Sequence, residues 1–198
     1  RLEFGTAGLR GAIGAGPNRM NRVLVGQAAA GLAAYLLEHG DAPSVVIGYD
    51  GRKNSTVFAV ATAELMAGAG VRAILLPRLL PTPVLAFAVR SLGASAGVMV
   101  TASHNPGTDN GYKVYLGGAD AGSQIVPPTD GLIAERIARV AAGDLRSLPR
   151  STAYEVAGED ILDDYIAATA AVGRAAGELN FVYTAMHGVG WETARRVF

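Results

Sequence analysis

The chain contains no cysteine, which excludes disulfide staples, thiolate nucleophiles and cysteine metal sites together and points to a reducing compartment, the cytoplasm. It also lacks a dominant charge, with 17 basic residues set against 17 acidic ones. A protein without a prevailing sign exerts little long-range attraction on nucleic acid or anionic lipid, so neither partner is expected. No apolar run reaches the length of a membrane span, and Arg1-Leu2-Glu3-Phe4-Gly5 lacks the basic-then-apolar order of a signal peptide. The first residue is not methionine, and residues preceding Arg1 are expected. Lysine is scarce: Lys53 and Lys113 stand alone among the basic residues, the rest being arginine. No Walker phosphate loop, dinucleotide glycine fingerprint or His-Glu-x-x-His motif occurs, which withdraws the strongest support for nucleotide and zinc enzymes.

What is present is 198 residues, 50% of them hydrophobic, enough for one substantial core and the beginning of another. Gly5, Gly8, Gly11, Gly14 and Gly16 give the N-terminal stretch the backbone freedom of a loop. Asn21 then precedes a long apolar run that stops at His39-Gly40, which predicts a capped helix. Ser44 to Tyr49 reads as a strand, and Asn54-Ser55-Thr56 as the capped start of a helix ending near Gly68 and Gly70. Strands are expected over Val71 to Leu76 and Gly97 to Thr101, with a helix between them opened by Pro81-Thr82-Pro83. A tight turn at Asp109-Asn110-Gly111 should return the chain as an antiparallel strand from Tyr112 to Leu116. Helices follow near Thr129 to Ala142 and Glu159 to Val172, separated by an irregular connector over Leu145 to Ala157. Leu179 to Thr184 predicts one more strand and Trp191 a new helix. The pattern is α/β, a mixed β-sheet sandwiched between helices, with residues 1–150 as one domain and 151–198 as a linker helix and the start of a second.

Two short motifs have structural explanations. Gly93-Ala94-Ser95-Ala96-Gly97 satisfies Gly-x-Ser-x-Gly, but a nucleophile elbow follows a strand and precedes a helix, whereas here the order is reversed. A helix-to-strand turn accounts for it. Asn54-Ser55-Thr56 is formally a glycosylation acceptor and sits where a helix cap belongs.

Thr101-Ala102-Ser103-His104-Asn105-Pro106-Gly107-Thr108 carries more. It places a serine just past an apolar strand, where ligands of open α/β sheets bind, inside a loop of turn formers. An ordinary surface turn has the same composition. A bare serine hydroxyl is a weak nucleophile, and His104, its neighbour in sequence, establishes no triad. A phosphorylated serine would instead carry nearly two negative charges and three acceptor oxygens, and would demand cations. Arg10 and Lys113 are the candidates, each with the alternative of a solvated surface charge.

Phe4-Gly5-Thr6-Ala7-Gly8-Leu9-Arg10-Gly11, Asp50-Gly51-Arg52, Thr101 to Pro106 and Asn110-Gly111-Tyr112-Lys113, in this order, resemble the first domain of the α-D-phosphohexomutases. Met186-His187-Gly188-Val189-Gly190 resembles the segment that opens that family's second domain. The resemblance implies a phosphoserine at Ser103 that passes its phosphoryl group to a sugar phosphate. A sugar bisphosphate, also the activator, forms, turns over and returns its other phosphate, interconverting sugar 1- and 6-phosphates or pentose 1- and 5-phosphates. It further implies Mg²⁺ on the phosphate of Ser103, proton movement by Lys113, a loop-orienting or acid-base role for His104, and phosphate binding by Thr6, Arg10 and Asn105. The family's aspartate-rich metal loop has no counterpart before Phe198, and Asp160, Asp163 and Asp164 fall on a predicted helix in no metal-loop pattern. The chain alone is therefore expected to be a donor without a complete cleft, inactive as a mutase and prone to self-association through residues 179–198. A non-catalytic phosphosugar-binding module is the alternative.

Overall fold

A computed structural model describes residues 2–6, 8–173 and 180–198. Among the described residues there are seven strands and six α-helices. They are β1 (Leu9–Ala12), α1 (Arg22–His39), β2 (Ser44–Tyr49), α2 (Ser55–Gly68), β3 (Arg72–Leu75), α3 (Thr82–Ser91) and β4 (Ala96–Val100), then β5 (Asp109–Leu116), β6 (Ser123–Gln124), α4 (Thr129–Ala141), β7 (Glu155–Val156), α5 (Asp160–Ala170) and α6 (Trp191–Val197). The strands form one mixed sheet in the order β1-β5-β4-β2-β3-β7, with β6 beside β5. β2, β3, β4 and β7 run parallel, while β5 is antiparallel to both β4 and β1. The expected mixed sheet between helices is the one observed.

The sheet is covered on both faces because its central strands are apolar on both sides. Side chains alternate across a strand, so Val45 and Ile47 of β2 join Val98 and Val100 of β4 in a core shared with α1, α2 and α4. Val46 and Met99 face the opposite way, into a second core with α3 and α5 that holds Leu85, Val89, Ile161 and Leu162. The near-continuous hydrophobic runs of β2 and β4 are what a parallel strand covered on both faces requires. No helix among the described residues is long and apolar enough to cross a membrane.

Several local expectations are corrected. Part of the glycine-rich N-terminal stretch is strand β1, an edge strand paired through its backbone, from Leu9 opposite Tyr112 to Ala12 opposite Asp109. Backbone pairing needs no side-chain pattern, so glycine density concealed it. Asp109-Asn110-Gly111 is likewise not a turn but the start of β5, held by β1; the reversal falls earlier, between Ser103 and Thr108. Asn21 caps α1 as expected, accepting from Leu24 N–H, whereas Asn54 sits in a left-handed conformation, φ 67°, and its side chain makes no capping bond. The connector before α5 includes β7, which lies parallel to β3. Residues 180–184 take no regular structure, so the expected strand is not formed there; Leu179 lies outside the described residues.

Glycine sets the distance between α3 and the sheet. A Cβ at Gly97 would lie 2.4 Å from Val89 Cγ2 of α3, and Val89 is fully buried. We expect Gly97→Ala to destabilise the fold by about 1–3 kcal/mol through overpacking. Gly131 of α4 has open space at its Cβ position, so Gly131→Ala should stabilise by up to about 1 kcal/mol. Urea midpoints of the two variants should move in opposite directions.

Candidate active site

The parallel strands end on one side of the sheet, and the loop after β4 rises from that edge. Its base is a polar network anchored by Asp50, the residue that follows β2. One Asp50 oxygen accepts from Arg52 N–H at 3.0 Å and from Ser55 Oγ at 2.7 Å; the other accepts from Thr101 Oγ1 at 2.6 Å. Thr101 Oγ1 in turn accepts from Ser103 N–H at 2.9 Å. Buried Asn110 donates to Lys53 O and to Ser55 Oγ, at 2.9 and 3.0 Å. Ser55, Thr101 and Asn110 are buried polar residues, and each finds a partner, as burial demands.

Arg52 closes the loop from the side. One of its terminal nitrogens donates to Pro106 O at 2.8 Å and Asp109 O at 3.2 Å, the other to Ser103 O at 2.7 Å and Asn105 O at 2.8 Å. Its Nε lies 3.4 Å from Asp50. Held in this way, Ser103 adopts a left-handed backbone, φ 54°. Such a conformation costs a non-glycine residue on the order of 1–3 kcal/mol and persists where the surroundings over-determine it.

The Ser103 hydroxyl accepts a hydrogen bond from Lys113 Nζ at 2.7 Å. Arg10, on β1, donates to Asn105 Oδ1 at 3.2 Å, and Asn105 Nδ2 donates to Asp109 Oδ2 at 2.8 Å. Burial and, less strongly, the nearby Arg10 guanidinium hold the Lys113 ammonium below its ordinary range, while Asp50 works in the other direction. A half-buried amine beside a second cation is poised both to meet an anion and to release its proton.

Of the residues singled out from sequence, the structure brings Ser103, Lys113, Arg10 and Asn105 together. His104 is exposed and makes no hydrogen bond to the described residues; the loop carbonyls are bonded by Arg52. Thr6 meets the rest of the fold through its carbonyl oxygen, which accepts from Gln124 Nε2 at 2.7 Å, and its side chain joins no bond of the serine loop. Asp50, Arg52, Asn110 and Gln124 were not assigned roles from sequence. Asp50-Gly51-Arg52 was visible as one motif of the family resemblance, but its bonds to a loop some fifty residues on became legible only in three dimensions. Ser95 precedes β4, and its Oγ accepts from Ser44 N–H at 3.1 Å, the helix-to-strand turn expected of it.

The Mg²⁺ implied by the family resemblance finds no cage here. Among the described residues no cluster of three His, Asp or Glu could hold a metal ion. The Asp50 carboxylate is taken up by Arg52, Ser55 and Thr101, and the hydrogen-bond partner of Ser103 Oγ among the described residues is the Lys113 ammonium. A hard dication needs several oxygen ligands, and the described residues alone do not provide them.

Fold and site together define a three-layer α/β domain that presents a serine to cationic side chains at the carboxyl edge of its parallel strands. Residues 1–143 match the family model for phosphoglucomutase/phosphomannomutase, alpha/beta/alpha domain I. A Haemophilus influenzae protein named "Probable phosphomannomutase" is 62% identical over 87% of this chain and 36% of its own length. A Saccharomyces cerevisiae phosphoribomutase is 39% identical over 97% of this chain and 34% of its own. A solved phosphoglucomutase/phosphomannomutase family protein from Burkholderia thailandensis superposes with a TM-score of 0.67 at 26% identity, covering 85% of this chain and 35% of that one. The chain belongs to the α-D-phosphohexomutase family and carries its N-terminal domain. It spans about a third of the length of these relatives.

The lowered Lys113 pKa has a consequence for stability. Below its folded-state pKa the fold carries the cost of an ionised, half-buried amine; above the ordinary lysine value of 10.5 the amine is neutral in both states and the cost is gone. Lys113→Met should therefore raise the melting temperature at pH 7, with the gain shrinking as pH rises toward 10.5. A gain that stays constant across a pH series of thermal melts would contradict this.

Proposed function

We propose that this chain is the phosphoserine-bearing part of a sugar-phosphate mutase. In this reading residues 1–150 form the donor domain, and 151–198 form a linker and the opening of a second domain. The reaction takes place in the cytoplasm, where sugar phosphates are made and consumed. The observation that carries the reading is the 2.7 Å contact between Lys113 Nζ and Ser103 Oγ, which puts a proton donor on the oxygen that must leave.

In the forward half-reaction the bond between phosphorus and Ser103 Oγ breaks while one forms to a hydroxyl of the bound sugar monophosphate. Lys113 delivers its proton to the departing serine oxygen, and the sugar hydroxyl proton passes to a base at the acceptor side. The half-reaction back to serine uses the other phosphate of the resulting bisphosphate. Lys113, now neutral, takes up the serine proton as Oγ attacks. Burial and the neighbouring Arg10 guanidinium lower its pKa, the direction that eases release of the proton. Phosphoryl transfer draws its catalysis mainly from positioning and charge stabilisation. Arg10 serves both, since its one hydrogen bond among the described residues goes to Asn105 and leaves donors for a phosphate. Free sugar bisphosphate would prime an unphosphorylated Ser103. Relatives named for mannose and ribose phosphates favour a sugar 1-phosphate and its 6- or 5-phosphate isomer as substrates.

Intact-mass measurement tests the reading. A full-length version incubated with glucose 1,6-bisphosphate should gain one phosphate, lost in Ser103→Ala. Sugar-phosphate binding without the adduct would make the domain a binding module. The isolated chain should show negligible mutase turnover with glucose 1-phosphate and a bisphosphate primer, because an open site admits water to the transferring group. Turnover near that of a full-length relative would overturn that expectation.

The reading also carries self-association of the isolated chain. Met186, Trp191 and Phe198 are 81%, 55% and 78% exposed, and Val182 is 99% exposed, an apolar surface of the kind that seeks cover. Sedimentation velocity at rising concentration should show a dimer or larger species; a strictly monomeric profile would count against it.

A further inference from the structure

The loop is surrounded by three strongly basic side chains, and their hydrogen bonding separates them into two kinds. Arg10 and Lys113 each make one bond to the loop, to Asn105 Oδ1 and to Ser103 Oγ, so each keeps donors for an incoming anion. Arg52 does not. Its terminal nitrogens donate to the carbonyl oxygens of Ser103, Asn105, Pro106 and Asp109, and its Nε faces Asp50. A guanidinium has five N–H donors in a planar fork; here its two terminal nitrogens make four bonds to backbone carbonyls, and its Nε lies 3.4 Å from the Asp50 carboxylate it pairs with. Arg52 therefore has nothing left with which to grip a phosphate, although it touches the residue that would carry one.

We propose that Arg52 is a positioning residue for phosphoryl transfer at Ser103. Resting on the mutase reading for its chemistry, it acts by fixing the backbone from Ser103 to Asp109 so that Ser103 Oγ faces Lys113. Three features support the assignment. The carbonyls it gathers belong to residues spread along the whole reversal, so no shorter or single-point donor could hold them together. Ser103 is left-handed, a conformation that needs an outside constraint. The guanidinium is itself fixed, since the Asp50 carboxylate that faces its Nε is held in turn by Ser55 and Thr101. Lysine cannot replace it, because an ammonium offers three donors from a point and no fork.

The test compares Arg52→Lys and Arg52→Ala with the unsubstituted full-length protein. Hydrogen exchange of the amides from Ser103 to Asp109 should accelerate at least tenfold in both variants, with the strands unaffected. Turnover of glucose 1-phosphate, primed with glucose 1,6-bisphosphate, should show kcat lowered about 100-fold, the scale of a displacement near 1 Å, with KM within about twofold. Added methylguanidinium should restore part of the kcat of Arg52→Ala and none of that of Arg52→Lys, a pattern that a general loss of folded protein would not give. Should Arg52→Ala not fold, Arg52→Gln takes its place. Unchanged loop exchange, or a normal kcat in Arg52→Lys, overturns the proposal. If the unsubstituted protein never acquires phosphate on Ser103, the mutase reading fails by itself, and the exchange measurement still decides whether Arg52 holds the loop.

Discussion

The carboxylate of Asp50 and the guanidinium of Arg52, two residues apart in one turn, are the interaction on which the rest of the site depends. A loop that reverses direction beyond a sheet edge leaves its carbonyl groups without ladder partners, and each needs one. Arg52 satisfies four of them at once, and Asp50 ties the turn that carries Arg52 to the end of β4 through Thr101. The serine is thus supported from two sides, by its own strand and by the turn after the neighbouring strand. A charge-assisted hydrogen bond contributes roughly 1.5–3 kcal/mol, so even one such bond offsets much of the cost of the left-handed conformation at Ser103.

This support relies on the sheet beneath it. β2 and β4 are adjacent and parallel, so the turn after one and the loop after the other leave the sheet side by side. Their side chains are divided between two cores, which fixes both strands against sliding, because a shift would exchange the contents of the two faces. Lys113 comes from β5 on the far side of β4. Its distance from Ser103 is therefore set by strand pairing rather than by a flexible connection, and a group on a strand is placed more accurately than one on a loop.

Much of this was legible in the chain. The apolar runs of β2 and β4, the Asn21 cap and the proline-led start of α3 are local signals with local causes. Ser103, Lys113 and Arg10 stood out because a serine in that loop, one of two lysines and an isolated arginine are informative by type. What stayed hidden depended on distant partners. β1 has no side-chain pattern because the backbone of β5 recruits it, and Asp109-Asn110-Gly111 has turn chemistry that strand pairing overrides. His104 drew attention by adjacency to Ser103, and its exposed side chain makes no hydrogen bond to the described residues. Arg52 was in view as part of a family motif, and nothing local distinguishes a guanidinium that holds carbonyls from one that awaits a ligand.

The bareness of Gly111 carries a further consequence. A Cβ there would fall 2.5 Å from Thr101 O and 2.7 Å from Leu9 O, so only a residue without a side chain lets β5 nestle between its neighbours at this level. Tyr112 and Lys113 come next, the first fully enclosed and the second reaching the serine. If bulk at position 111 displaced the strand by one step, a phenol would stand where the ammonium is needed and the ammonium would be driven into hydrocarbon. The alignment of three strands, governed by the smallest amino acid, thereby selects which side chain reaches Ser103.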